Sequence, residues 1–167
     1  MVLTLDVHYK DDASAKSVGI LFNWNDVQPK EILIEYVRET EEYIPGEFYR
    51  RELPCLLKII EKVNINDLEA IVIDGYVYID NDKRFGLGGH LWQALNKQIP
   101  IIGVAKSFYY GNTETVKQIY RGKSKKSLYI SSIGLELDIA SHFIIHMPGE
   151  FRIPDLLKQL DTITKEK

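Results

Sequence analysis

At 167 residues with 45% apolar side chains, the chain is long enough to bury a substantial core and short enough to form one domain, residues 1–167. A formal net charge of −3 gives no whole-chain sign of a nucleic-acid binder, and the single cysteine, Cys55, excludes an internal disulfide framework and suits a reducing compartment. No apolar run approaches the roughly 20 residues needed to span a bilayer, and no signal-peptide pattern opens the sequence, so the expectation is a soluble, cytoplasmic protein without membrane association.

In chain order, residues Val2–Tyr9, Ser17–Trp24 and Glu31–Arg38 read as an antiparallel three-stranded meander. Asp11–Ser14 and Asn25-Asp26 with Pro29 supply the polar turns between them. A loop, Glu41–Gly46, follows, and its Tyr43-Ile44-Pro45 tip is too apolar for an idle linker. Leu53, Leu56, Leu57, Ile60 and Val63 recur at helical spacing and predict a helix over Arg50–Val63, with Pro54 in its first turn. Beyond it, strand and helix alternate. Strands are expected at Ala70–Ile73 and Pro100–Val104, and helices at Leu87–Asn96 and Thr113–Tyr120. A hairpin or strand pair is expected over Ser127–Leu137, then a helix capped by Asp138 and running to His146, and a last helix after Pro154.

A meander followed by βαβ units is the order of a ribonuclease-H-like α/β architecture, a mixed sheet with flanking helices. There the first strand lies beside the first strand after the helix, which makes Asp6 and Asp74 neighbours across 68 residues. Asp6 sits within Val2-Leu3-Thr4-Leu5-Asp6-Val7, Asp74 follows Ala70-Ile71-Val72-Ile73, and Lys106 ends Ile101-Ile102-Gly103-Val104-Ala105. An unpaired carboxylate in a strand core costs several kcal/mol, and a divalent cation is the simplest counter-charge. Open α/β sheets hold ligands beyond the carboxyl ends of their strands, where Asp74 and Lys106 fall.

Several local motifs sharpen this. Asp6-Val7-His8-Tyr9, Tyr43-Ile44-Pro45-Gly46, Arg51-Glu52-Leu53-Pro54, Asp74-Gly75, Gly86-Leu87-Gly88-Gly89-His90 and Gly103-Val104-Ala105-Lys106, taken in this order, resemble the endonuclease V family. The resemblance implies a Mg²⁺-dependent nuclease, with Mn²⁺ as a possible substitute, that cuts DNA or RNA 3′ to inosine in repair or RNA processing. It implies metal-binding carboxylates at Asp6, Glu52 and Asp74 and a cation at the scissile phosphate in Lys106. Tyr43, Ile44, Pro45 and Gly46 would form a wedge that opens the duplex, and Arg51, Gly75, His90 and Gly103 would contact substrate. Arg152-Ile153-Pro154-Asp155 is similar to a family segment that places Asp161 at a further acidic position on the last helix. A monomer is expected.

Bland readings stand beside these. Asp6 would serve in a structural ion pair, Asp74 in a turn, Glu52 as a first-turn acid favoured by the helix dipole, and Asp161 on a solvated face. His90 would be a structural histidine, and Lys123–Lys126 a solvated turn or a phosphate contact. His142 and His146 lack an acid between them and suggest no zinc site. The chain departs from the family pattern in two places. Asp6 stands close to the start, where members usually carry a helical segment. The histidines expected after Asp74-Gly75 are replaced in Tyr76-Val77-Tyr78-Ile79-Asp80, so that Asp80 becomes a possible additional acid. Rival readings are a structure-specific nuclease on the same fold and a binding relative that does not cut.

Overall fold

The computed structural model describes residues 1–38, 40, 45, 47 and 49–166. Three strands open the chain: β1 (Val2–Tyr9), β2 (Ala15–Phe22) and β3 (Glu31–Val37). Helix α1 (Tyr49–Ile60) leads to β4 (Ala70–Asp74), α2 (Leu87–Ala94) and β5 (Ile101–Ala105). Strands β6 (Lys117–Ile119) and β7 (Leu128–Ile133) and helices α3 (Leu137–His146) and α4 (Asp155–Lys165) complete the described elements. Among the described residues seven strands form one sheet in the order β3-β2-β1-β4-β5-β7-β6. The central trio β1, β4 and β5 is parallel, and the other neighbours are antiparallel. The meander and the placement of β1 beside β4 agree with the sequence expectation.

Both faces of the sheet are covered, so the central strands are apolar on both sides, with successive residues facing opposite layers. Leu3, Leu5, Ile71, Ile73 and Ile101 pack with Leu56, Ile59 and Leu91 of α1 and α2. Val2, Val72, Ile102 and Val104 pack with Ala140, Ile144, Leu156 and Leu160 of α3 and α4. The period of two then fixes the site, because Asp6, Asp74 and Lys106 continue the set that faces α4. Placing all three on one face requires only the parallel register in which Leu5 pairs with Ile73 and Ile73 with Gly103.

Four expectations need correcting. Residues 113–120 are not a helix: β6 occupies Lys117–Ile119 and pairs with β7. The approach to β6 is fixed by Asn81, whose side-chain oxygen accepts from the amides of Thr113 and Glu114, both at 2.8 Å, in place of a helical turn. Consequently residues 127–137 hold one strand rather than a hairpin, since the partner lies upstream. Asp138 is not the cap of α3: Glu136 takes that position, and Asp138 stands in the first turn with its carboxylate 2.8 Å from Lys117 Nζ. Pro54 falls in the second turn of α1 because the helix already starts at Tyr49.

Candidate active site

Asp6, midway along β1, and Asp74, the last residue of β4, stand side by side one residue beyond the Leu5–Ile73 pair, where the β1–β4 ladder ends. Lys106 follows the last residue of β5. Together with Thr4, Val72 and Val104 they face Ile153, Leu157, Leu160 and Asp161 across a small cleft of about 30 Å³. Such a space takes a water molecule or a partly dehydrated ion but no nucleobase.

Helix α4 reaches this cleft through specific contacts. Thr164 is buried, and its hydroxyl proton is shared among Asp6 Oδ2 at 3.1 Å and the carbonyls of Asp161 at 2.8 Å and Leu160 at 3.1 Å. The Val7 amide donates to Asp6 Oδ1 at 2.9 Å. Behind α4, the buried Lys16 donates from Nζ to the carbonyls of Ile163 (2.6 Å) and Glu166 (3.1 Å), capping the helix end and holding it on the sheet. Sequence reasoning did not reach the parts played by Thr164 and Lys16. A lysine flanked by Ala15 and Ser17 in an otherwise buried strand was the signal available for the latter.

The acids are repelled rather than paired. Burial raises the pKa of Asp6 and the charge of Asp74 raises it further, against hydrogen bonds from Val7 and Thr164. Asp74 is the outermost of the three, open to solvent on one side, yet the shielding of the sheet end still raises its pKa, with Lys106 offsetting part of the effect. Glu52, in the first turn of α1, approaches from the opposite face of the sheet. Burial, then Asp6 and Asp74, push its pKa up to about 7, with Arg51 opposing. Among the described residues no ion pair within 4 Å reaches Asp6, Glu52 or Asp74. Asp161, by contrast, is paired with Lys165 through both oxygens, at 3.0 and 3.1 Å. Burial pushes its pKa up, and the Lys165 hydrogen bond with the charge of Lys106 outweighs this, leaving it lowered.

Among the described residues no three His, Cys, Asp or Glu side chains stand close enough to form a ready-made metal cage. The donor set nevertheless fits Mg²⁺, which takes one or two carboxylates and completes its shell with water and substrate phosphate. Three mutually repelling carboxylates without a paired cation are what such an ion would relieve.

The remaining sequence candidates fall at varied distances from this centre. Gly75 has φ +103°, a conformation that L side chains rarely adopt, and starts the loop that leaves β4. Gly103 permits a close approach: a Cβ there would lie 2.6 Å from the Gly75 carbonyl and 2.6 Å from Ser131 Oγ. That same Ser131 hydroxyl accepts from the Val77 amide at 3.0 Å. Arg51 lies over the Tyr9 ring, 3.8 Å from its centre, and its buried Nε has no partner among the described residues. His90 stacks on Tyr49 with ring centres 3.7 Å apart and meets Phe85 edge-on, lining none of the cavities near Asp74. Asp80 accepts from Asp82 and Arg84 and pairs with Arg84 at 2.5 Å, so its carboxylate organises a turn instead of joining the acid cluster. Of the expected wedge, Pro45 lies in an exposed turn, and Tyr43, Ile44 and Gly46 lie outside the described residues.

Beside the cleft, a second cavity of about 420 Å³ is walled by Gly75, Tyr76, Tyr78, Gly86, Phe108 and Tyr109. Tyr76 donates its hydroxyl to the Ser107 carbonyl, tying the wall after β4 to the segment after Lys106. Sequence reasoning missed these aromatics, although Tyr76-Val77-Tyr78 and Phe108-Tyr109-Tyr110 directly follow two of the strand ends it singled out.

This constellation has known relatives. A family model described as Endonuclease V matches residues 1–142. The chain belongs to the Endonuclease V family. Endonuclease V of Trichormus variabilis is 26% identical over 186 residues, taking in 99% of this chain and 82% of that protein. Endonuclease V of Sulfolobus acidocaldarius is 28% identical over 171 residues, 97% of this chain and 80% of that protein. Among solved structures, human ENDOV superposes with TM-score 0.77 at 20% identity, over 98% of this chain and 82% of that one. Ciona intestinalis Endonuclease V, solved with a 24mer DNA containing an inosine followed by a ribo-adenosine, gives 0.79 at 19% identity, over 98% and 84%. The Endonuclease V fold is ribonuclease-H-like, as the strand order had indicated, and the family is one of nucleases. No helix among the described residues is long and apolar enough to cross a membrane.

Proposed function

We propose that this chain is a metal-dependent endonuclease that hydrolyses a phosphodiester bond 3′ to inosine in DNA or RNA, acting as a cytoplasmic, monomeric single domain in repair or RNA processing. The observation that carries this reading is the convergence of Asp6, Asp74 and Lys106 on one cleft, where neither aspartate has an ion-pair partner among the described residues. Asp6 and Asp74, with Glu52 reaching over the sheet end, would hold Mg²⁺, or Mn²⁺ in its place. The bound ion would supply an activated water and charge neutralisation on the phosphoryl oxygens.

The chain's own residues do the rest. Lys106 places a point charge where a scissile phosphate bridges the acids and the strand end, a role that needs no bidentate geometry. Thr164 and the Val7 amide fix the orientation of Asp6. The aromatic cavity lies next to Asp74 through Gly75 and has the volume for one extruded base stacked among Tyr76, Tyr78, Phe108 and Tyr109. Hypoxanthine lacks the exocyclic amine of guanine, so a close glycine wall discriminates between them by clash. The DNA-bound relative from Ciona intestinalis supports this choice of base. The Tyr43–Gly46 segment would act as the wedge that fills the gap in the stack.

The deciding experiment is cleavage of end-labelled single- and double-stranded DNA and RNA oligonucleotides, each with one inosine, in Mg²⁺ and in EDTA, beside the Asp74→Asn protein. A metal-dependent cut on the 3′ side of inosine that Asp74→Asn abolishes is expected. Binding without cutting would replace the reading with that of a recognition protein.

A further inference from the structure

A third cavity, a groove of about 420 Å³, opens from the same strand end, and Lys106 and Ser107 line it together with Lys125, Lys126, Tyr129 and Arg152. We propose that this groove holds the phosphate backbone of the substrate strand on the 3′ side of the cut, with Lys125 and Lys126 as its phosphate contacts. The inference rests on the nuclease reading above and extends it to the path of the strand.

Charge is the first support. The chain as a whole is acidic, at −3, yet no Asp or Glu lines this groove. Among the described residues Lys106, Lys125 and Lys126 form no ion pair, whereas Lys117 and Lys165 are each matched to an acid. Exposed lysines without an internal partner gain most from a polyanion, because counterions are released when phosphates take their place.

The groove is also a built structure. Arg152 donates from Nε and Nη2 to the Ser127 carbonyl, at 3.1 and 2.7 Å, and from Nη2 to the Lys106 carbonyl, so one guanidinium ties the lysine-bearing turn to the end of β5. Within the turn, Ser124 Oγ donates to the Lys126 carbonyl at 3.0 Å and accepts from the Lys126 amide at 3.2 Å. Beneath it the buried Arg121 donates to the carbonyls of Met147 and Phe151, both at 2.6 Å, locking the turn to the α3–α4 connection. Of the basic run, then, Arg121 is structural and the lysines are free to act. Tyr120, 56% exposed, and Tyr129 supply rings on which unpaired bases stack.

Direction follows from connectivity. The aromatic cavity reaches Ser107 from the Gly75 side, the acid cleft reaches Lys106 from the Asp74 side, and the groove continues from both residues toward Lys126. If the base in the aromatic cavity lies 5′ to the bond cut at Asp74 and Lys106, the strand that continues beyond Lys106 is the 3′ portion.

The test measures KM for inosine oligonucleotides that share a 5′ part and carry either one or five nucleotides beyond the cut, with a matched pair lengthened at the 5′ end instead. For the wild-type protein the 3′ extension lowers KM about tenfold. In Lys125→Ala/Lys126→Ala that ratio falls to about twofold, and the slope of log KM against log salt drops by about two, one for each phosphate no longer neutralised. Lys125→Arg/Lys126→Arg restores the ratio. Lys123→Ala, on the same turn but outside the groove, keeps it, and thermal melts show that the variants fold. A double-alanine protein with the full 3′ gain, or one that loses 5′ and 3′ gains equally, overturns the groove assignment alone. No inosine cleavage by the wild-type protein at any length overturns the nuclease reading, and the groove assignment falls with it.

Discussion

Thr164 and Asp6, 158 residues apart, are joined by a 3.1 Å hydrogen bond from the threonine hydroxyl to Oδ2. The contact links the last helix to the first strand at the point where the acids converge. It makes α4 a wall of the site as well as a cover for the sheet.

Replacing that hydroxyl by a methyl in Thr164→Val leaves the volume nearly unchanged and leaves Asp6 held by the Val7 amide alone. The expected loss of stability is about 1 kcal/mol. The Mg²⁺ concentration for half-maximal cleavage rises about tenfold, the scale on which partners of metal-holding carboxylates act. A metal titration of activity, with a urea melt alongside, checks both.

Glu52 makes the metal-free protein sensitive to pH. Its pKa lies at about 7 in the folded chain against 4.5 for the free side chain, so between those values the native state binds more protons than the unfolded state. Stability from this group is therefore fully present below pH 4.5 and lost as pH rises to 7. Asp6 and Asp74, also raised, act in the same direction. Melting temperatures in EDTA should fall across this window, less steeply in Glu52→Gln, and added Mg²⁺ should raise them more at pH 8 than at pH 5.

The two acids that face each other across the cleft should respond differently to neutralisation. Asp74→Asn removes a carboxylate without a paired cation and should cut cleavage by about 100-fold or more, the cost of losing a charge-stabilising group, while raising the melting temperature of the metal-free protein. Asp161→Asn breaks its pairing with Lys165. The expected cleavage loss is smaller, about tenfold, with no gain in melting temperature. Equal losses in the two variants would reverse this ranking.

Gly103→Ala would push a methyl against the Gly75 carbonyl and Ser131 Oγ. Overpacking of this kind costs about 1–3 kcal/mol. Gly75 belongs to the wall of the aromatic cavity, so the ratio of inosine to guanosine cleavage should fall as well. A denaturant melt and paired substrates measure the two effects.

The opening meander, the neighbouring places of β1 and β4, and the positions of Asp6, Asp74 and Lys106 along their strands were legible in the amino-acid sequence. The strands and their charged residues follow from short-range regularities, namely apolar runs interrupted or ended by a charge and a side-chain period of two, while the adjacency across 68 residues follows from the order of the elements. The same short-range reading failed at Thr113–Tyr120, where helix and strand patterns are hard to separate in eight residues and the pairing with β7 settled the matter. Asp161 was ambiguous in a polar helix end because only the packing of α4 through Leu157 and Leu160 turns it toward the cleft. Thr164, Lys16 and Arg152 act on backbone or side-chain atoms many residues away, and no local pattern encodes such partners. Tertiary structure also separated the three expected metal ligands, with Asp6 and Asp74 on the α4 face and Glu52 reaching from α1 on the other. Alternation along one strand specifies a face, whereas the meeting of opposite faces at a sheet end depends on how the helices pack.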